Sequence, residues 1–382
     1  MAISLTEPVF LRPSRESCRV ICLQDHSMFR QEAARVYEQS RMTDAVHSRL
    51  FQASAAAVLA VIILGLGYLG TRGQPLAQTS PAEKLRIALP VLPHTALLYV
   101  AAAKGYFADE GLDVSILPVS YGVAAIGDVL HGTADLAVAA EVPFVISVMK
   151  GDALGMVASL VSVSNDNAII ARRDHAIVEA RDLAGKKIGV SFGTSGSYFL
   201  WAFLIRHKLP FDSIALVDLP PDRIVGALAN GSVDAVATWQ PISFEAQAAL
   251  GKNALSFIDA NAYRTTMAAV GRSEFLKGHA DAIEKLVRAM LKAEQFMRSH
   301  PDETLNLAAA WLKMDVGALR PTWKQFDFRI NLLQSHLITL EDEARWAMAR
   351  GYAEKGPIPN FLPHLYLDAL LTVQPERVTV LH

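Results

Sequence analysis

Short apolar runs alternate with amphipathic stretches through the first half of the chain body. The runs that predict strands are 85–89, 112–117, 136–140 and 156–163. The stretches between them that predict helices are 96–104, 123–131 and a segment opened at its first position by Pro143. This β-α-β-α order predicts a parallel sheet with helices on both faces.

The same alternation begins again after a charged turn at 182–187. Strands are predicted over 188–191, 214–219 and 235–238, a polar loop over 193–197, and helices over 198–208 and 221–229. From about residue 280 the pattern becomes helical, and we predict helices from there to Lys355. The chain therefore contains a second α/β unit followed by a helical C-terminal part.

One phrase occurs in both units, as GTADLAVAAEVP at 132–143 and as GSVDAVATWQP at 231–241. Each copy follows a predicted helix, and its glycine suits the left-handed residue that ends a helix. The aspartate three residues later suits a cap on the turn into the next strand. We interpret the phrase as one helix-Gly-strand-loop-Pro-helix unit used once in each of two lobes. The alternative is chance recurrence in an alanine-rich chain.

The N-terminal part carries an uncharged apolar run, 53–69, between Arg49 and Arg72. A bilayer span needs about 17–25 residues, so the run suits a transmembrane or signal helix over 51–71. We predict a cytoplasmic extension over 1–50, or a true start at an internal methionine such as Met42, and a linker over 72–83. The G-x-G-x-x-G at 65–70 lies inside the apolar run, without the strand and helix that a dinucleotide site needs.

Composition excludes some classes of function. The 382 residues are 52% hydrophobic with net charge −2, which allows a sizeable core and gives no basic patch for nucleic acid. The two cysteines, Cys18 and Cys22, precede the chain body, so disulfide and thiol chemistry are absent from it. With His26 they have a metal-like spacing, but the nearest fourth ligand is the distant His47. We predict neither a metal nor another cofactor.

Ligands of open parallel sheets bind beyond the carboxyl ends of the strands. The loops at those positions, with two residues near the predicted crossings between the lobes, give the candidate ligand-binding residues, which are His94, Thr95, Glu141, Asn165, Thr194, Ser195, Ser197, Trp239, Gln240 and Arg264.

Each candidate also has a purely structural interpretation. Thr194, Ser195 and Ser197 precede a helix, whose N-terminus favours an anion but whose cap also favours such residues. Trp239 suits an aromatic wall or a core position. Arg264 suits a bidentate anion clamp or an ordinary surface position.

Several phrases in their order along the chain resemble those of a known family. KGYFADEGLDV at 104–114 and DLAGKKIGV at 182–190, together with the two copies of the repeated phrase, resemble periplasmic solute-binding proteins of nitrate, sulfonate and taurine transporters, a group that includes a thiamine-pyrimidine-precursor branch. The resemblance covers roughly 84–301. It implies a two-lobed type II periplasmic binding fold, with lobe one over 84–172 plus 268–382 and lobe two over 173–267.

The same resemblance implies a function. A small organic or inorganic anion, or a related nitrogenous compound, would bind in the interlobe cleft, and the loaded protein would dock on an ABC transporter permease. The protein would be periplasmic, held by the N-terminal helix or released after cleavage. The alternatives are an enzyme on the same fold, such as a lyase or pyrimidine-precursor synthase using His94 or Glu141 as acid–base, and a membrane-tethered sensor domain. The cysteine-rich motif of the eukaryotic pyrimidine synthases is missing from the body, which counts against that enzyme.

Overall fold

The computed structural model describes residues 82–381, which contain two β-sheets. The strands are β1 (Glu83–Pro90), β2 (Leu112–Val119), β3 (Leu136–Ala140), β4 (Leu154–Val163), β5 (Asn167–Arg172), β6 (Lys187–Val190), β7 (Ala215–Asp218), β8 (Ala235–Trp239), β9 (Ala254–Phe257), β10 (Thr265–Arg272) and β11 (Phe326–Asn331). The first sheet has the order β11-β4-β10-β3-β1-β2 and the second sheet β7-β6-β8-β5-β9.

Helices connect and cover these strands. They are α1 (Ala96–Ala103), α2 (Tyr106–Asp109), α3 (Gly122–His131), α4 (Glu141–Met149), α5 (Ser195–Arg206), α6 (Pro221–Ala229), α7 (Ile242–Leu250), α8 (Ser273–Gly278), α9 (Ala280–Ser299), α10 (Pro301–Leu312), α11 (Val316–Trp323), α12 (Gln334–Arg350) and α13 (Asp368–Val373). All residues of β3 and β8 are buried, as expected for central strands covered on both faces.

The predicted parallel pairing holds for the strands recognised from the sequence except β4, whose two neighbours, β10 and β11, are both antiparallel to it. β1 pairs in parallel with β2 and β3, and β6 does so with β7 and β8. The sheets are nevertheless mixed, because β10 and β11 run antiparallel to β4 and β5 runs antiparallel to β8 and β9. The sequence pattern missed β5, β9, β10 and β11, so the antiparallel part of each sheet was not predicted.

Three element boundaries also differ from the prediction. Strand β11 interrupts the C-terminal part that was expected to be entirely helical. Helix α4 begins at Glu141, so Pro143 lies at its third position, where a missing N–H is still tolerated because first-turn donors have no intrahelical partner. Helix α5 begins at Ser195, three residues earlier than expected, and includes the serines assigned to a loop.

The repeated phrase builds the same structure twice. Gly132 and Gly231 both have the left-handed φ values, 75° and 78°, that the phrase predicts. Asp135 accepts a hydrogen bond from the backbone N–H of Arg86 at 2.8 Å, and Asp234 accepts one from that of Lys187 at 2.7 Å. Each aspartate thus ties its loop to the start of the neighbouring parallel strand, β1 in one lobe and β6 in the other.

The chain passes between the sheets twice, at 164–166 and at 258–264. The sequence analysis placed one lobe boundary at 172/173, which is the C-terminal end of β5. It placed the other at 267/268, which lies inside β10. By sheet membership, β5 belongs with the second sheet and all of β10 with the first.

One hydrophobic cluster joins elements of the two lobes. Val142 and Ile146 of α4 and Trp346 of α12 pack with Tyr198 and Phe199 of α5, which covers the second sheet. The lobes are therefore in direct apolar contact beside the crossings.

The predicted N-terminal elements are not part of this description. The extension over 1–50, the transmembrane or signal segment over 51–71 and most of the linker over 72–83 lie outside the described residues. Between residues 82 and 381, no helix combines the length and apolar character needed to cross a membrane.

Candidate functional site

A cleft lies where the carboxyl ends of the parallel strands of both sheets meet. Its cavity volume is about 30 Å³. The residues that line it lie at or after the carboxyl ends of β1, β2, β3, β4, β6 and β8, or at the start of β10. They are Leu92, His94, Tyr121, Gly122, Val123, Ala140, Pro143, Asp166, Thr194, Ser195, Trp239, Thr265 and Met267. We call this the central cleft. Its position is the one that the strand-end rule gives for a ligand.

A buried contact between a histidine and a carboxylate forms one part of the central cleft. His94 Nε2 lies 3.0 Å from Asp166 Oδ1, and each side chain is only 2% exposed. The backbone N–H of Gln240 is 3.4 Å from the same carboxylate oxygen. The His94 ring meets Phe326 edge to face, with centroids 5.0 Å apart. The pair is thus enclosed by the residue after β8 and by Phe326 of β11 rather than solvated.

The N-terminus of α5 forms the second part. Thr194 caps it, its backbone N–H bonding to Ser197 Oγ at 3.2 Å and its hydroxyl donating to the Ser191 carbonyl at 2.7 Å. The first N–H groups of a helix have no intrahelical partner and carry the positive end of the helix dipole. Thr194 and Ser195 line the central cleft, so this end of α5 faces any solute bound there.

The rest of the central cleft is largely apolar. Leu92, Tyr121, Trp239 and Met267 contribute its walls. No lysine or arginine lines it in the part of the chain that the structure describes. Such a site combines apolar surface with a few placed polar groups, as small-molecule sites generally do.

Glu141 lies behind the cleft wall and not in it. Its Oε2 accepts hydrogen bonds from the backbone N–H of Thr266 at 2.8 Å and from the Tyr263 hydroxyl at 3.1 Å. Burial raises the pKa of Glu141 to about 7, although these hydrogen bonds lower it. Glu343 of α12 is fully buried nearby, and burial together with the charge of Glu141 raises its pKa well above the usual range.

The structure places four of the ten sequence candidates on the lining of the central cleft, namely His94, Thr194, Ser195 and Trp239. Thr95 donates its hydroxyl to the carbonyls of Pro90 and Leu92, which fixes the turn after β1. The Arg264 side chain is 55% exposed and reaches Asp327 at 3.3 Å on the surface.

Two further candidates hold the first crossing, and a third caps a helix. The side-chain amide of Gln240 donates to the Asn165 carbonyl at 3.1 Å. The Ser197 hydroxyl donates to the Thr194 carbonyl at 2.8 Å within the first turn of α5. Asn165, Ser197, Gln240, Glu141, Thr95 and Arg264 therefore surround or support the central cleft without appearing on its lining.

Sequence reasoning missed several lining residues. Asp166 was not among the candidates, because its pairing with His94 across 72 positions has no local signal. Tyr121 follows the end of β2, so the strand-end rule would have found it. Thr265 and Met267 lie on β10, which the pattern had not identified. Between residues 82 and 381, no group of three or more His, Cys, Asp or Glu is arranged to hold a metal ion.

Comparison with known proteins agrees with this architecture. The family model described as NMT1/THI5 like matches residues 92–304. The taurine-binding periplasmic protein of Escherichia coli is 26% identical over 210 residues, which are 54% of this chain and 58% of that protein.

Solved structures show the same fold. The alkanesulfonate-binding protein of Xanthomonas axonopodis, bound to MOPS, superposes with a TM-score of 0.66 at 17% identity, covering 75% of this chain and 99% of that one. The periplasmic nitrate-binding protein of Synechocystis superposes with a TM-score of 0.64 at 13% identity, covering 77% and 89%. The two-lobed periplasmic binding fold expected from the sequence is thus confirmed. Since the family model matches more than half of its length, the chain belongs to the NMT1/THI5-like family.

Proposed function

We propose that this protein is the extracytoplasmic solute-binding component of an ABC importer, and that it captures a singly charged organic oxyanion of the sulfonate type in the central cleft. The relatives named for taurine, alkanesulfonate and nitrate support capture of small oxyanions without chemical change. On this proposal the protein acts in the periplasm and delivers its solute to a membrane permease.

The single observation that carries the proposal is the N-terminus of α5 on the lining of the central cleft. Free backbone N–H groups at a helix N-terminus bind oxyanions, and the helix dipole favours negative charge there. The Ser195 hydroxyl lies beside those groups and adds a donor of the kind that sulfonate oxygens accept.

The charge of the central cleft favours a monoanion over a dianion. The cleft offers the helix end and His94, while the Asp166 carboxylate lies within the same lining. A second negative charge on the solute would be buried with no lysine or arginine to pair with it, which is costly. A sulfonate carries one charge and presents a non-polar substituent to Trp239 and Met267.

A matched pair of ligands tests the charge argument. Methanesulfonate and sulfate have nearly the same shape and differ by one charge. We expect the full chain to bind methanesulfonate about 100-fold more tightly in isothermal titration calorimetry, equivalent to about 2.7 kcal/mol. Equal affinity for the two would contradict selection for a single charge.

A second experiment tests the location. Ser195→Asp places a carboxylate at the first position of α5, where acidic residues stabilise a helix but compete with a bound anion. We expect at least a tenfold loss of sulfonate affinity without loss of folding. Ser273→Asp is the matched control, since Ser273 opens α8 away from the central cleft. If the two variants weaken binding equally, the solute is not at α5.

The enzyme alternative has one observation in its favour, the His94–Asp166 pair within the central cleft, because a carboxylate can orient a histidine for general-base catalysis. Mass spectrometry of each bound solute after incubation distinguishes the two functions. A binding protein returns the solute unchanged, and a consumed solute would support the enzyme.

A further inference from the structure

A second cavity adjoins the central cleft. The two cavities share Val123 and Pro143 as lining residues, so they lie side by side. The second cavity has a volume of about 340 Å³, more than ten times that of the central cleft, which is about 30 Å³. Val123 and Leu130 of α3, Pro143 and Ile146 of α4, and Phe192 and Tyr352 contribute to its walls. We call it the lateral pocket.

The walls of the lateral pocket come from both lobes. Helices α3 and α4 belong to the first-sheet lobe, and Phe192 follows β6 of the second sheet. A Cβ built on Gly193 would lie 3.4 Å from Ile146 Cδ1, so the lobes touch at this point. A group lodged here contacts the two lobes together, as a group in the central cleft does.

Three exposed apolar side chains line the lateral pocket. Val123 and Leu130 are each 37% exposed and Phe192 is 39% exposed, although all three are large hydrophobic residues. Neighbouring exposed apolar side chains around a concave surface mark a binding site for an apolar group.

The length of the lateral pocket follows from its helices. Its lining on α3 extends from Val123 to Leu130, and along α4 and its end from Pro143 to Lys150. Seven residues of α-helix rise about 10 Å. Pro143 and Val123 mark the end shared with the central cleft, and the charged Lys150 marks the other. An apolar chain that leaves the central cleft can therefore extend about two helical turns before it meets a charged group.

We propose that the lateral pocket binds the apolar tail of the solute, so that the preferred ligand is a sulfonate with a long unbranched alkyl chain. This inference rests on the proposed function, because the sulfonate head is taken to lie at α5. The central cleft orients the head, and the lateral pocket selects for the length of the chain.

A series of alkanesulfonates tests the proposal on the full chain. Affinities for ethanesulfonate, hexanesulfonate and octanesulfonate are measured by isothermal titration calorimetry. Burial of one methylene group should tighten the dissociation constant about three- to fourfold until the pocket is filled. The quantity compared between variants is the ratio of the octanesulfonate and ethanesulfonate affinities.

Gly127→Leu fills the lateral pocket. Gly127 lines it on α3, and a Cβ built there has no heavy atom within 4 Å. Gly226→Leu is the matched control, because Gly226 is also a helical glycine with open space around its Cβ position but does not line either cavity. We expect Gly127→Leu to reduce the affinity ratio at least tenfold and Gly226→Leu to keep the wild-type ratio.

Phe192→Ser provides an independent variant, since it removes a partly exposed wall without filling space. It should also reduce the ratio. Equal affinity for short and long chains in the wild type, or a wild-type ratio in both pocket variants, would overturn the lateral pocket as a tail site and leave the proposed function in place. Failure to bind any of the sulfonates would instead reject the proposed function, and this inference with it.

Discussion

At the scale of single residues, the His94–Asp166 pair contributes most to the character of the central cleft. Both side chains are buried, and His94 Nε2 lies 3.0 Å from the Asp166 carboxylate. Removing one partner of a buried pair leaves an uncompensated charge, which typically costs about 3–5 kcal/mol. Neutralising the remaining partner as well avoids most of that cost.

The first prediction follows from this pair. His94→Leu should lower the free energy of unfolding by about 3–5 kcal/mol, because Asp166 keeps a buried charge without its partner. The double variant His94→Leu with Asp166→Asn should regain more than half of the loss, since asparagine is neutral and still accepts from Gln240. Urea unfolding of the wild type, the two single variants His94→Leu and Asp166→Asn, and the double variant measures both effects. Losses that simply add would show that the two side chains are not coupled.

Two buried carboxyl groups make stability depend on pH. The unfolded chain ionises Glu141 and Glu343 near their ordinary pKa, whereas burial raises the folded pKa of Glu141 to about 7 and that of Glu343 well above its usual range. Their stabilising contribution is fully present below the unfolded pKa and is lost as the pH rises through the folded pKa. The groups that face them are Tyr263, Tyr198 and Asp342.

The second prediction concerns pH 6.5 to 8. His336 adds a smaller slope of opposite sign that fades by about pH 7.5, since burial lowers its folded pKa to about 4 while the unfolded histidine keeps its ordinary pKa near 6.5. The free energy of unfolding should fall with rising pH, by up to about 1.4 kcal/mol per pH unit for each carboxyl that keeps its proton. Urea unfolding of Glu343→Gln should show a flatter profile.

Glu341→Gln is the control for this prediction. Glu341 lies on the same helix, α12, but its side chain is exposed and pairs with Arg345 at the surface. It should therefore keep the wild-type pH profile. A profile of Glu343→Gln as steep as that of the wild type would contradict the assignment of a retained proton to Glu343.

At the scale of elements, the position of α5 depends on a close approach to β8. A Cβ built on Gly196, in the first turn of α5, would lie 3.1 Å from the Ala237 carbonyl oxygen and 3.4 Å from Thr238 Cα. Both contacts are with strand backbone, which cannot move aside as a flexible side chain can. Glycine at this position therefore holds the N-terminus of α5 against the strand that also presents Trp239.

The third prediction tests the close packing of Gly196 against β8. Gly196→Ala should cost about 1–3 kcal/mol of stability through overpacking, and it should weaken solute binding because the first turn of α5 is displaced. Gly226→Ala on α6 has open space, so it should stabilise the protein by about 0.5–1 kcal/mol, as alanine does in a helix. Thermal unfolding and calorimetric titration compare the pair. If the two variants had similar stability and similar solute affinity, the close packing of Gly196 against β8 would be contradicted.

At the scale of the whole molecule, the hydrophobic cluster formed by α4, α5 and α12 joins the lobes into one cooperative unit. Trp346 lies in this cluster. Trp201 and Trp239 belong to the second-sheet lobe, and Trp311 and Trp323 lie in helices after the second crossing. Tryptophan fluorescence therefore reports on both lobes, and circular dichroism reports on all helices.

The fourth prediction is a single unfolding transition that moves with solute. Fluorescence and circular dichroism should give coincident urea curves for the described part of the chain. A solute at 100 times its dissociation constant should add about 2.7 kcal/mol to the free energy of unfolding, as binding to the folded state alone requires. Two separate transitions, only one of them shifted by solute, would show that the lobes unfold independently and that one lobe alone holds the site.

The local sequence determined the elements whose signal is local. Apolar runs of strand length, the glycines at 132 and 231 and the aspartates that follow them predicted β3, β8 and the loops after them, and the structure confirms these elements. Strands β5 and β10 were missed because their pairing partners lie far away in the chain, and Phe326–Asn331 was missed because it is a short strand within a helical region. Antiparallel pairing between distant segments leaves no periodic signal within either segment.

The sequence by itself also determined the two-lobed α/β architecture and the loops from which a site would be built, because strand ends and turn residues are fixed by nearest neighbours. Only the tertiary structure decided which side chains meet. It brought Asp166 to His94, moved Glu141 behind the wall, left Arg264 on the surface and placed Val123 between two cavities. These outcomes depend on how two sheets and their crossings pack in three dimensions, and that packing energy is a sum over contacts that no single stretch of sequence contains.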